Sequence, residues 1–491
     1  MLPANQSRRK WLFRTLAILI SLAPLIAAET LLRLTEAPVV DAVDSDPWVD
    51  LHQLKPLFTL NQENQRWEIP SSRSNFFCND SFPATKTANT RRIFVLGGST
   101  VQGRPYATET AFSTWLRLLL ETSDEQYQYE VINCGGVSYA SYRVAKILDE
   151  VLEHQPDAIV LYTGHNEFLE DREYAEVREA QGLRKHLIPL ARHSRLAKWL
   201  NQKIVSPSPP ATEPAQNFVM QQEVLARLDQ ENGLSRYRRD PKWVNRVEEH
   251  FSATLDEMVS RVSGAKIPLV LCVPACDLVA TPPFKTTTPE DLSSERLDEF
   301  KHHWRIARDP EQSDADRQRA ATQCLTIDPQ HAGAHYVLGR IAFDGGQQEQ
   351  ALEHLNLARD HDVCPLRATD EIISAIRKYD RQDGVFLIDL PSILDQQNAS
   401  GVNQPDGIPD ANWFVDHVHP SIKGHQVIAH ACFDRMQEIP WVKPLVDVSS
   451  YEAKSTTHLG KLNESYFARG KQRLAGLRRW TQGLATEPMT D

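Results

Sequence analysis

Ile93-Phe94-Val95-Leu96-Gly97-Gly98-Ser99-Thr100-Val101-Gln102-Gly103 is the stretch on which the fold turns. Four β-forming apolar residues run into two glycines, the pattern of a short buried strand that stops at a sharp turn. A serine there is held at the carboxyl edge of a sheet, where open α/β folds bind their ligands. A phosphate-binding P-loop would need a Lys before its Ser or Thr, and none is present. The Gly-x-Ser-x-Gly nucleophile elbow fits at Gly97 and Ser99 but fails at Val101. On these residues alone Ser99 reads as a turn former, since Gly-Ser turns are common.

The flanking sequence supplies a frame. From Arg92 onward the pattern alternates: strand Ile93–Leu96, helix Ala111–Glu121, strand Tyr129–Asn133, helix Ser141–Glu153, strand Asp157–Thr163. Farther on come a helix over Trp243–Val262, the strands Leu269–Val273 and Val385–Asp389, and a helix from Ser421. Alternating strands and helices imply βαβ units, a parallel sheet covered on both faces and, with right-handed crossovers, a doubly wound three-layer α/β/α fold.

The first three strands end in polar or glycine-rich turns: Gly97-Gly98-Ser99, Asn133-Cys134-Gly135-Gly136 and Thr163-Gly164-His165-Asn166-Glu167. In a parallel sheet these turns converge on one edge. Far downstream, Asp416-His417-Val418-His419-Pro420 precedes a helix, and its spacing lets Asp416 orient His419.

Ser99 in Gly-Gly-Ser-Thr, the second glycine turn, Gly164-His165-Asn166 and Asp416-x-x-His419-Pro420 follow one another in the order seen in the SGNH (GDSL-type) hydrolases, which the chain resembles over residues 92–170, 265–285 and 383–436. The resemblance implies a flavodoxin-like α/β/α fold with a parallel sheet and ester or acyl-transfer chemistry. Carried over by position, it makes Ser99 the nucleophile, His419 its general base and Asp416 the residue that orients His419. The oxyanion hole would combine the Ser99 N–H, Asn166 and a glycine N–H, for which Gly136 is taken. Two positions depart from the pattern. Gly98 stands where the family usually has Asp, and Gly135-Gly136 comes early relative to the usual glycine position near Ser138–Ala140.

Other residues are read as structural. His165 is assigned to packing or substrate contact. His417 and His425 are taken as hydrated helix-entry histidines, since no Cys or carboxylate cluster completes a metal site with His419. Arg367 is read as a surface arginine at a helix start. No Gly-x-Gly-x-x-Gly follows a strand, so no dinucleotide is expected, and neither a cofactor nor a metal is implied.

The chain has 491 residues, 41% hydrophobic and 24% charged, with a formal net charge of −11. That balance supports a packed core and argues against nucleic acid as a partner. The seven cysteines contain no Cys-x2-Cys pair and outline no disulfide framework.

Arg8-Arg9-Lys10 precedes the apolar run Trp11–Ala28, broken only by Arg14, and acidic residues follow it. This predicts an N-terminal anchor within residues 1–34, with the N-terminus inside and the bulk extracytoplasmic. Ile26-Ala27-Ala28 leaves open a cleaved signal and a secreted protein.

Residues 35–90, rich in Pro, Asn, Asp and Ser, read as a spacer with little regular structure. The hydrolase domain is expected over 91–290 and 363–445, with a helical or looped excursion at 170–241. A helical insertion occupies 291–362, and 446–491 reads as a tail. Within the insertion, Leu338-Gly339, Ala351 and Ala358 follow the layout of a tetratricopeptide hairpin, preceded by a degenerate half repeat. Lying apart from every catalytic motif, the insertion is assigned to partner or substrate selection.

The expectation is a membrane-anchored serine esterase acting on an ester such as an O-acyl group on a carbohydrate. An O-acyltransferase using the same triad, or an interaction protein with a vestigial site, are the alternatives.

Overall fold

Residues 90–97 form the strand around which the rest is arranged, and every residue from Ile93 to Gly97 in it is buried. The structure, a computed structural model, describes residues 55–172, 223–397 and 407–484. Three short strands come first: β1 (Thr59–Asn61), β2 (Arg66–Glu68) and β3 (Ser81–Pro83), an antiparallel sheet in that order. The main sheet then uses β4 (Thr90–Gly97), β5 (Gln128–Gly135), β6 (Ala158–Tyr162), β7 (Leu269–Val273) and β8 (Val385–Asp389). All its pairings are parallel, and its order is β5-β4-β6-β7-β8. Counted within this sheet the order is 2-1-3-4-5, the flavodoxin-like arrangement. The three-layer fold read from the alternation is therefore the fold observed.

The helices are α1 (Ser99–Gln102), α2 (Phe112–Ser123), α3 (Ser141–Leu152), α4 (Pro241–Gly264), α5 (Ser294–Ala307), α6 (Asp314–Ile327), α7 (Ala332–Asp344), α8 (Gln348–Asp360), α9 (Asp370–Arg377), α10 (Leu390–Gln397), α11 (Ile422–Met436), α12 (Val448–Gly460) and α13 (Glu464–Thr481). Alternation along β4 sends Ile93 and Val95 into a core shared with Phe112, Trp115 and Leu119 of α2 and Ile428 of α11. Phe94 points the other way and meets the ring of Phe82 edge-on at 5.3 Å. Truncating a buried ring such as Phe94 to Ala would cost about 3–5 kcal/mol, through lost transfer energy and the cavity left behind.

Residues 55–90 differ from the expected spacer. Phe58 and Phe82 pack edge to face at 5.0 Å beneath the main sheet. The backbone N–H groups of Leu57 and Phe58 donate to the Glu150 carboxylate at 2.6 and 2.8 Å. Strands of three residues are too short to show an alternation, so their turn-forming residues dominate the sequence signal. The expected tail is likewise structured: α12 and α13 pack back onto residues 106–110, with the Tyr466 hydroxyl 2.8 Å from Thr110 Oγ1. Few apolar residues anchor those helices, Tyr451 and Tyr466 chief among them, so their pattern is faint.

The insertion forms two helical hairpins. In the second, a Cβ on Gly339 would lie 2.8 Å from the Leu355 side chain, so α7 and α8 cross over a residue with no side chain. The first packs Phe300, Ala320, Ala321 and Cys324 against Ala334, Val337 and Leu338 of α7, where the sequence suggested only a degenerate half. The insertion is also not remote from the catalytic motifs: Ala342, Ala351 and Leu355 share a core with Leu278, Val279 and Val418.

The seven cysteines are all free thiols. No helix among the described residues is long and apolar enough to cross a membrane. The apolar run Trp11–Ala28, residues 35–54 of the expected spacer and residues 173–222 of the expected excursion lie outside the described residues.

Candidate active site

The turn that carries Ser99 is shaped by steric exclusion. At Gly97 a Cβ would stand 2.0 Å from the backbone oxygen of Tyr162 on the neighbouring strand, so only glycine lets β4 end there. The chain then enters the single turn α1, whose first residue is Ser99. Gly103 closes that turn in the left-handed region at φ 98°, its N–H bonded to the Ser99 carbonyl at 3.1 Å. Val101, where an elbow motif would carry glycine, is fully buried.

The loop that carries Asp416 and His419 is shaped by hydrogen bonds. Asp416 Oδ1 accepts the backbone N–H groups of Val418 and His419 at 3.0 and 2.9 Å, folding the loop around its own carboxylate. The same carboxylate takes the His419 ring, with Nδ1 at 2.8 Å from Oδ2 and 2.9 Å from Oδ1. Ser421 caps α11 just beyond, accepting from the Gly424 N–H at 3.1 Å.

His419 Nε2 lies 2.7 Å from Ser99 Oγ, completing a hydrogen-bonded chain from Asp416 through His419 to Ser99 across 320 residues of sequence. Burial opposes a charge on Asp416, but His419, then His417 and the hydrogen bonds from His419, hold its carboxyl well below the usual carboxylate range. An ionised carboxylate facing Nδ1 fixes the proton there and leaves Nε2 to accept from the serine hydroxyl.

Asn166 follows β6, beside β4 at the point where the strand order reverses. Its turn is fastened by Glu167, whose carboxylate accepts the Ser141 N–H at 2.7 Å and the Ser141 hydroxyl at 2.9 Å at the start of α3. Asn166 Nδ2 donates one hydrogen to the Tyr139 carbonyl at 3.1 Å and has a second to give. It also fills the space beside Gly98, where a Cβ would approach Nδ2 to 2.4 Å.

Gly136 does not supply the donor assigned to it. Its N–H is committed to the Gly97 carbonyl at 3.0 Å, and its lack of a side chain serves packing, since a Cβ would meet the Tyr139 ring at 2.6 Å. The next turn residue that reaches the site is Ser138, which adopts φ 61° and lines the same cavity as Ser99. Among the described residues its N–H has no hydrogen-bond partner. Its place in the 138–140 window is the only signal the sequence held for it.

The neighbouring histidines have other duties. His417 stands 3.4 Å from Asp416 Oδ1 and packs edge-on against Phe284 at 5.0 Å, and burial pushes it down to about 4. His425 accepts the Phe112 N–H at 3.3 Å and His165 that of Ala368 at 3.2 Å, both as buried packing groups. Arg367 is no surface residue: it is buried and donates to the carbonyls of Asp277 and Thr281, each at 3.0 Å.

Ser99, Ser138, Asn166 and His419 open on a cavity of about 510 Å³. One wall carries Val137, Leu169 and Leu366, and α13 supplies another through Arg473, Gly476, Leu477 and Trp480.

No family model and no curated protein matches the chain. Among solved structures it is similar to an α/β hydrolase enzyme, LAE5, from the metagenome of Lake Arreo, Spain, at 14% identity over 70% of this chain and 94% of the other, with a TM-score of 0.31. A protein assigned to the G-D-S-L lipolytic family from Desulfitobacterium hafniense DCB-2 is 10% identical over 69% and 96% of the two chains, with a TM-score of 0.27. A single-residue variant of Axe2, an acetyl xylan esterase from Geobacillus stearothermophilus, is 12% identical over 73% and 97%, with a TM-score of 0.29.

Proposed function

We propose that this chain is a serine esterase that hydrolyses an ester, with an O-acyl group on a carbohydrate as its substrate class. The observation that carries the proposal is the unbroken chain Asp416–His419–Ser99, with its 2.8 and 2.7 Å links. An unassisted serine hydroxyl is a poor nucleophile near neutral pH, and a base on its proton is what the reaction requires.

In this reading Ser99 Oγ attacks the acyl carbon as His419 Nε2 takes the hydroxyl proton. The carbonyl electrons move onto oxygen, where the N–H groups of Ser99 and Ser138 and the Asn166 amide receive the negative charge. Collapse expels the sugar alkoxide, to which His419 returns the proton. His419 then deprotonates a water that attacks the acyl-serine, and a second collapse releases the carboxylic acid and restores Ser99. Asp416 stays ionised throughout and stabilises the transient imidazolium.

We place the enzyme outside the cytoplasm, held by the apolar run Trp11–Ala28, on the charge asymmetry around that run. Retention of full-length protein by alkaline-washed membranes tests this, and a soluble form beginning at Glu29 refutes it. The chemistry is tested by labelling with a serine-reactive phosphonate. Peptide mapping should find the adduct on Ser99, and Ser99→Ala should abolish it together with turnover of a simple acetyl ester. Labelling elsewhere, or esterase activity that survives in Ser99→Ala, overturns the assignment. Product analysis with a sugar acceptor present reports whether water or a hydroxyl takes the acyl group.

A further inference from the structure

The cavity that receives Ser99 also receives two arginines, Arg104 and Arg473. The backbone N–H of Arg104 donates to the Ser99 carbonyl at 3.2 Å, so this residue is fixed to the nucleophile turn itself. Among the described residues its guanidinium has neither a hydrogen-bond acceptor nor an ion-pair partner. Arg473 comes from α13, brought close because Gly470 lets that helix lie against the Tyr106 ring, where a Cβ would sit 2.2 Å from a ring carbon. Its Nη1 donates to the Tyr106 carbonyl at 2.7 Å, a bond that holds the side chain in place and leaves its charge uncompensated.

Acids nearby do not answer these charges. Asp229 lines the same cavity, but its two oxygens accept from the Ala226 N–H and Trp480 Nε1, both at 2.8 Å. Glu109 lines the adjoining cavity with both arginines and forms no ion pair among the described residues. Burial, and then the neighbouring charge of Arg473, lower the proton affinity of Arg104, as expected for a cation short of a counter-ion. Folding two like charges into one cavity with no acid paired to either is costly, and a bound anion removes that cost.

We propose that Arg104 and Arg473 form an anion subsite beside Ser99, so that the ester is carried by a substrate with a carboxylate, phosphate or sulfate group next to the acylated hydroxyl. The inference deepens the esterase reading and rests on it for the identity of Ser99. Guanidinium groups suit such anions because they present paired N–H donors to paired oxygens.

The test uses monoacetylated methyl galacturonide and methyl galactoside, which differ only in carboxylate against hydroxymethyl, with the galactoside 6-phosphate as a third probe. Wild-type full-length protein should show the higher kcat/KM on the two anionic esters. Their relative ranking tells carboxylate from phosphate. Arg104→Gln should lower the ratio of anionic to neutral kcat/KM about ten- to hundredfold, and Arg473→Gln, being exposed, by less. Added salt should shrink the preference. An unchanged ratio in both variants overturns the subsite.

Calorimetric binding to the Ser99→Ala protein separates this inference from the esterase reading. Tighter binding of the anionic sugars that Arg104→Gln removes, in a wild type that turns over no ester, upholds the subsite and refutes the esterase. Turnover of all three probes at similar kcat/KM, with no difference in binding, does the reverse.

Discussion

Two helical additions flank the same sheet edge and act on it in different ways. The insertion over 291–362 reaches it from outside. Tyr336 and Arg340 donate to the Val279 carbonyl at 2.7 and 2.8 Å, and Val418, next to His419, shares the core of α7 and α8. The C-terminal helix α13 instead forms part of the cavity wall through Arg473, Leu477 and Trp480. One addition braces the loop that carries His419, and the other lines the cavity on which Ser99 opens. A conspicuous helical pattern marks the first, while the addition that lines the cavity has the fainter sequence.

The largest effect expected lies between the two additions, on the edge itself. Asn166→Ala should lower kcat by about two to three powers of ten if its free amide hydrogen meets the oxyanion. A change confined to KM would remove Asn166 from that role. Next, Trp480→Ala should raise KM for a sugar ester by up to about tenfold while kcat for a small aryl acetate moves less. Equal losses on both esters would make α13 a brace like the insertion, and the contrast would fall.

Tyr336→Phe deletes one hydroxyl on the bracing side. It should cost about 1 kcal/mol in denaturant unfolding and leave the preference among esters as it was. A shift in preference would show the insertion reaching substrate space.

The smallest effect concerns the shared floor beneath both regions. Burial pushes His425 down from 6.5 to about 3, so below pH 6.5 the unfolded chain takes up a proton that the folded chain refuses. Stability contributed by this site is therefore intact above pH 6.5 and declines as pH falls toward 3. His425→Gln should flatten the loss between pH 7.5 and 6 by somewhat less than about 1 kcal/mol, read from melting curves at the two pH values.

Much of this was legible in the sequence because the signals are local. The strand Ile93–Leu96 is a run of β-formers ended by two glycines, and it lies within β4 (Thr90–Gly97). Ser99, Asp416 and His419 stand at strand and helix ends, where the chain order of the motifs decides which turns meet. The donor in the second turn was misplaced because a glycine at position 136 advertises backbone freedom, while the use made of it is room for the Tyr139 ring. Arg367 was misread since a buried arginine saturated by carbonyls carries no mark in its own sequence. Residues 55–90 and 446–484 were underestimated for a related reason. Their packing depends on partners distant in sequence, some 90 residues away for Leu57 and Phe58 and more than 350 for Tyr466, and their few apolar residues set no period of their own.

Gly98 has a consequence for how this sequence can change. In the resembling family an Asp usually occupies that position, so a design guided by consensus would restore it. Here any side chain at Gly98 would project to 2.4 Å from Asn166 Nδ2. The two positions are therefore coupled: a side chain at position 98 is accommodated only if the Asn166 amide shifts from the place it holds here. Drift at either site is constrained by the other, and a library that varies them together will recover active combinations that single substitutions miss.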